Sequence, residues 1–180
     1  VVRAILLDSE AMTGHVQAPT TFGKLREGVL MQTAVWRAFA ARADNGQYAY
    51  SNPESAFGQA ALRADTVFNF FRPDYLPQGE LTTLGLEAPE FQVIDQNTAI
   101  AGNNQLYRAT VVNYRGRTSP AAGDVLVDVA EATTLAADPE ALILHLDRWL
   151  LANAMPAALA QILRDHMVQV TDPRRRATEC

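Results

Sequence analysis

Apolar residues in this chain recur at intervals of three and four in segment after segment, and that period commits most of the backbone to α-helix. The strongest case is 24–43, where Leu25, Val29, Trp36, Phe39, Ala40 and Ala43 form a broad stripe that the turn residues Asp44-Asn45-Gly46 bring to an end. Ala88-Pro89-Glu90 opens a second long helix, reaching about residue 113. Proline suits its first position, and a carboxylate suits the positive end of its dipole. Asp138-Pro139-Glu140 starts a helix to about residue 152, and Met155-Pro156 starts another to about residue 170. The short connection through Asn153 makes these two an αα-hairpin. Val2, Ile5 and Leu6 mark a helical face at the start, and Asp172-Pro173 reads as N-cap and first residue of a last helix. Against these stands one β signal, the run from Val125 to Val129. The expected fold class is therefore all-α: an irregular helical bundle with long loops and at most one short β element.

The intervening segments read as loops at 44–60 and 73–87, with 114–124 (YRGRTSPAAGD) as the internal linker. Asp65 or Thr66 is expected to cap a short aromatic helix over 67–71, stopped by Pro73. A length of 180 residues fits one domain. Residues 1–180 are expected to be a single helical region and the C-terminal part of a longer protein. The first helical pattern has an apolar face but no start signal, and the last has a start signal but no apolar face. The arcs of 24–43 and 88–113 are also wider than one hairpin can cover. A contiguous apolar face, formed mainly by 1–7 and one long helix, is expected to meet the missing N-terminal half, a partner chain or a second copy.

Charge and composition narrow the function classes. A net charge of −5 argues against general nucleic-acid binding, and the basic run Arg174-Arg175-Arg176 reads as a helix start instead. No apolar run is long enough for a membrane span. One cysteine, Cys180, leaves no internal disulfide and no thiolate cluster for zinc. His15, His145 and His166 lack ligand spacing, so no metal is expected. No glycine-rich phosphate loop or nucleophile elbow exists to imply a cofactor or an acyl-transfer enzyme. His166 shares a face with Leu159, Leu163 and Val170, and is expected to be half-buried and satisfied. Fourteen arginines against a single lysine, with abundant alanine, suggest a GC-rich bacterial genome.

A few polar positions stand out. Lys24 and Arg26 fall in the first turn of the predicted 24–43 helix, where cations oppose the dipole and Glu27 partly offsets them. Two readings stay open: an anion or carboxylate site, or side chains that meet an acidic partner or solvent. Asn97 and Asn104 lie seven residues apart on one stripe with Val93, Ile100, Tyr107 and Val111. They line a polar ligand groove or hydrogen-bond to a neighbouring helix and fix its register. Asn69 and Arg72 flank the cluster Phe68, Phe70 and Phe71 and are candidates for the same groove, with the aromatic rings read as core. Glu90 completes the set. Convergence of these side chains on a concave pocket favours an enzyme, and a flat apolar patch favours a binding module.

Three stretches carry a resemblance: the opening VVRAILLDSEA, PTTFGKLREGVLMQTAVWRAF at 19–39, and LRADTVFNFFRPDYLPQGELTTLGLEAPEFQ at 62–92, with VFNFFRPDY the most specific element. Together they resemble the C-terminal part of the bacterial family called domain of unknown function 1800. The closing hairpin and Arg-rich helix start are similar to that family's last region. The resemblance implies a long, mostly helical, exported protein whose N-terminal half is absent here, located in the periplasm or outside the cell. It also points to a possible partner, an exported protein resembling alkaline phosphatases and sulfatases. It implies no established activity. Two functions follow as expectations: a non-catalytic helical scaffold or partner-binding module of the bacterial envelope, or the C-terminal part of an exported hydrolase acting on a polysaccharide or sulfated polymer.

Overall fold

A computed structural model describes residues 2–19, 21–48, 53–110 and 125–180. The chain is mainly helical, as its apolar period requires. In order the elements are α1 (Val2–Leu6), α2 (Ser9–Gln17), α3 (Gly28–Ala38), β1 (Arg42–Ala43), α4 (Pro53–Phe57), α5 (Glu80–Thr83), a 3₁₀ turn (Pro89–Val93) and α6 (Gln96–Thr110). There follow β2 (Val125–Leu126), α7 (Ala130–Leu135), α8 (Pro139–Leu146), a π-helical turn (Asp147–Leu151), α9 (Ala157–Gln169) and α10 (Pro173–Glu179). The β signal at 125–129 is real but shorter than read. It pairs antiparallel with β1, Arg42 opposite Leu126 and Ala43 opposite Val125. The expected linker at 114–124 lies outside the described residues.

The main core lies in the C-terminal half. Val127, Val129, Ala132, Ala136, Leu142, Leu146, Met167 and Ala177 come together there with Phe39 from the end of α3. Local start signals hold the helices that build it. Asp138 accepts from the backbone N–H of Glu140 (3.0 Å) and Ala141 (3.4 Å), and Asp172 from Arg174 (2.8 Å) and Arg175 (3.4 Å). Each satisfies N–H groups that the first helical turn leaves open. The run Arg174-Arg175-Arg176 serves this architecture. Arg175 pairs with Glu179 one turn on (3.0 Å), and Arg176 donates to the carbonyls of Val170 (2.5 Å) and Ala136 (2.9 Å). Arg176 thereby ties α10 to the ends of α9 and α7, satisfying carbonyls with a charged donor.

Several boundaries differ from the sequence reading, each for a local reason. The helix expected over 24–43 runs only from Gly28 to Ala38. Phe39 N–H reaches Val35 O (3.0 Å), Ala41 N–H reaches back to Trp36 O (2.8 Å), and Ala40 takes φ 43°. This is a Schellman closure with alanine in the left-handed position usually held by glycine. Lys24 and Arg26 therefore precede the helix and do not sit in its first turn. The helix expected over 88–113 is two pieces, a 3₁₀ turn and α6, because Asp95 and Thr98 cap a new start. Thr98 N–H donates to Asp95 Oδ1 (2.7 Å), and Asp95 N–H donates to Thr98 Oγ1 (2.8 Å). Residues 67–71 form no helix. Thr66 and Asn69 bridge a tight turn in which Asn69 has φ 71°. The loop at 44–60 contains α4, and that at 73–87 contains α5.

α6 also turns a different face inward. Thr98, Ala101, Gly102, Gln105 and Leu106 are at least partly covered, while Asn97, Ile100, Asn104 and Tyr107 face solvent. Small residues decide this. α4 packs on α6 with Phe57 against Gly102, where an added Cβ would lie 3.3 Å from both Ala56 O and Phe57 Cδ1. Phe57 also meets Gly28 of α3, where an added Cβ would lie 2.4 Å from Phe57 Cδ1. Two glycines thus clasp one buried ring and bring three helices together.

Candidate functional site

A cavity lies beside this clasp. It holds about 210 Å³ and is walled by Glu27, Met31, Phe57, Glu90, Val93 and Gly102, among others. The 3₁₀ turn begun by Pro89 carries Glu90 into the interior, where its side chain is 4% exposed. Lys24 Nζ lies 3.1 Å from Glu90 Oε1, with the lysine side chain 72% exposed. Glu90 Oε2 is buried without a hydrogen bond. Burying a carboxylate with one solvent-exposed counterion and one bare oxygen is costly unless something else supplies donors.

Glu27 stands immediately before α3, where the positive helix end favours a carboxylate. Its Oε2 accepts from Gln59 Nε2 (2.6 Å) and Asn69 Nδ2 (3.4 Å). The left-handed turn at Asn69 is what brings its amide back to α3. Gln59 is buried, and its Oε1 has no hydrogen-bond partner. Gln32, on the next turn of α3, is fully buried with both amide atoms unpaired.

Of the residues singled out by sequence, Glu27 and Glu90 line this cavity, Lys24 and Asn69 are tied to those two carboxylates without lining it, and the other four stand apart. Arg26 Nη1 reaches the Leu150 carbonyl (3.4 Å) in the C-terminal half, so Lys24 and Arg26 form no joint cationic site. The Arg72 guanidinium pairs with Asp74 (3.0 Å), while its backbone N–H donates to Gln92 Oε1 (2.7 Å). That pairing holds the Asp74 carboxyl below the usual carboxylate range. Asn97 and Asn104 lie on the exposed face of α6. They fix no register against the helix that covers its opposite face. Phe68 is exposed along with Val67 and Leu62, so this end of the aromatic cluster is not core. His166 is half-buried as expected, but its Nε2 lacks a hydrogen bond and lies 3.8 Å from Glu179 Oε2.

Sequence reasoning passed over Gln32 and Gln59. For Gln32 a signal existed: it fills the one turn that the stripe Val29, Trp36 and Phe39 leaves without an apolar residue, so an amide had to point inward. Gln59 follows Gly58, whose φ of 65° ends α4 and turns the next side chain inward, and nothing in the local sequence announces that.

The described residues contain no group of three or more His, Cys, Asp or Glu side chains arranged to hold a metal ion. Burial raises the thiol of Cys180 above its ordinary value, the reverse of what a cysteine nucleophile needs. Among the described residues no helix is long and apolar enough to cross a membrane. Comparison with protein families, with curated proteins and with solved structures finds no match to this chain.

Proposed function

We propose that this chain is a helical scaffold or partner-binding module of a bacterial envelope protein. The envelope assignment rests on the resemblance carried by VFNFFRPDY and its flanking stretches. The module reading is carried by one observation: large apolar side chains stand uncovered in sequence-local groups. Val2, Ile5, Leu6 and Leu7 on and after α1, and Met12 and Val16 on α2, are all exposed. Uncovered apolar residues grouped in this way mark surfaces that meet another macromolecule. The partner is the N-terminal remainder of the same polypeptide or a second chain, of which an exported alkaline-phosphatase-like protein is one candidate.

A second reading, the C-terminal part of an exported hydrolase acting on a polysaccharide or sulfated polymer, draws on Glu27 and Glu90 at one cavity. Two carboxylates in unlike surroundings are the raw material of acid–base chemistry. The other walls of the cavity are largely apolar, which suits binding better than hydrolysis of a sugar polymer.

The test is co-expression of the full-length protein with an exported alkaline-phosphatase-like protein, followed by co-purification and light scattering. A stoichiometric complex that Ile5→Glu or Leu6→Glu breaks supports the module. A monomer indifferent to both substitutions and to that protein rejects it. Glycosidase or sulfatase turnover abolished by Glu90→Gln would replace the module with the hydrolase.

A further inference from the structure

The turn that follows β1 carries the one Asn-Gly pair of the sequence, Asn45-Gly46. The other seven asparagines are each followed by proline or by a residue with a side chain. Both residues of the pair are exposed, and Gly46 takes φ 68° with open space where a side chain would stand. The Asn45 side chain is held over the following peptide, because its Oδ1 accepts from the Gln47 backbone N–H (2.9 Å). That contact folds the side-chain amide toward the main-chain nitrogen of Gly46. A donor on the amide oxygen also draws charge from its carbon, which makes the carbon a better electrophile. The Gly46 N–H itself donates to Ala43 O (3.1 Å), which opposes attack by that nitrogen. A single exposed hydrogen bond after a two-residue strand opens readily, and it slows a reaction at the nitrogen by no more than about tenfold.

We propose that Asn45-Gly46 is a self-modification site, at which the chain converts asparagine to aspartate and isoaspartate with water as the only co-reactant. The Gly46 nitrogen attacks Cγ of Asn45, an approach that a side chain at position 46 would crowd. The new N–Cγ bond closes a succinimide ring, the Cγ–Nδ2 bond breaks, and the Gly46 proton leaves with Nδ2 as ammonia. Water then opens the ring at either carbonyl. Cleavage of the new N–Cγ bond gives aspartate. Cleavage of the original peptide bond gives isoaspartate, which carries an extra methylene in the main chain. Either product adds a negative charge beside Asp44. The turn also returns Tyr48 onto the end of α3. The Tyr48 hydroxyl donates to Ala41 O (2.8 Å), and its ring lies 5.7 Å from that of Trp36. A longer main chain between Ala43 and Tyr48 slackens this return, so isoaspartate releases Tyr48 from Trp36.

The experiment incubates the full chain, labelled with ¹⁵N, at neutral pH and physiological temperature. Mass spectrometry of the tryptic peptide 43–63 follows residue 45, and chromatography separates its aspartyl and isoaspartyl forms. Residue 45 should convert before every other asparagine, at a rate within about tenfold of that in a free peptide covering 43–48. Gly46→Ala should slow conversion at least about tenfold by crowding the nitrogen. Asn45→Gln, whose longer side chain must close a larger ring, should stop it on the same time scale. Both positions are exposed in a turn, so neither substitution disturbs the core. The Trp36 indole N–H resonance should split as isoaspartate accumulates. An Asn45 that stays intact while the free peptide converts, another asparagine that converts first, or a rate unchanged by Gly46→Ala would overturn the assignment. A Trp36 signal indifferent to conversion would overturn the link to Tyr48.

Discussion

At the scale of single residues, this chain places alanine where helices usually end on glycine. Ala40 closes α3 with φ 43°, and Ala152 closes the π-helical turn with φ 55°, followed by Asn153 at φ 62°. A left-handed Cβ crowds the following carbonyl and costs on the order of 1 kcal/mol, which glycine avoids. Ala40→Gly should therefore stabilise the protein by about 0.5–1 kcal/mol, against the usual cost of Ala→Gly in a helix. A urea midpoint that falls in the variant would disprove the strain. Glu140 gives a second residue-scale expectation. Arg164 donates to both its oxygens (2.5 and 2.9 Å) and holds its carboxyl below the ordinary value of 4.5. The unfolded chain takes up this proton at higher pH than the folded chain, so the unfolded state binds more protons in that window. The contribution is complete above about pH 4.5 and is lost as pH falls through the depressed folded value. The drop in melting temperature between neutral pH and pH 3 should be smaller in Glu140→Gln than in the parent. An identical drop in both would remove Arg164 as the cause.

At the scale of elements, the arrangement of α3, α4 and α6 depends on one ring and two glycines. Phe57 is buried between Gly28 and Gly102. Because the contact at Gly28 is to the ring itself, which is buried, a methyl there must displace the ring and with it α4. Gly28→Ala is expected to cost about 1–3 kcal/mol through overpacking. Gly102→Ala should cost less, since its nearest contacts are 3.3 Å away and alanine is the better helix former. Thermal unfolding of both variants checks the order, and a Gly28→Ala protein as stable as the parent would show that α4 can shift freely. The same clasp sets which face of α6 is buried. The stripe with Ile100 and Tyr107 is the more apolar on paper, but only the face with Gly102 lets another helix come close.

At the scale of the whole molecule, burial is uneven. The C-terminal core joins α7, α8, α9 and α10 to the end of α3, whereas α1 contributes no buried residue and α2 only Gly14. Gly14 lies under the ring of Phe22, where an added Cβ would come within 2.4 Å. Local opening follows such differences in buried contact. Amide hydrogen exchange of the isolated chain should be slowest in α8 and α9 and fastest in α1 and α2. Protection of α1 equal to that of α8 would mean that its apolar face is already covered by another copy. Protection of α1 gained on adding a partner polypeptide would support the module reading directly.

How much of this was legible in the sequence follows the range of the interactions. The all-α class was legible because helical period repeats within a few turns. The starts at Asp138 and Asp172 were legible because a cap reaches only two or three residues along the chain. The hairpin of α8 and α9 was legible for the same reason. Where a local signal was missing the reading overran, as at Ala40, which does in α3 what glycine does elsewhere. The cavity was not legible as a unit. Lys24 was visible as a charge out of place and Glu90 as a carboxylate suited to a helix start, but the sequence holds them sixty-six positions apart. Only tertiary packing could join them, bring Asn69 and Gln59 to Glu27, and choose the glycine face of α6 over its more apolar one. Close approach between helices is decided by the smallest side chains on both surfaces together, and no single segment contains that information.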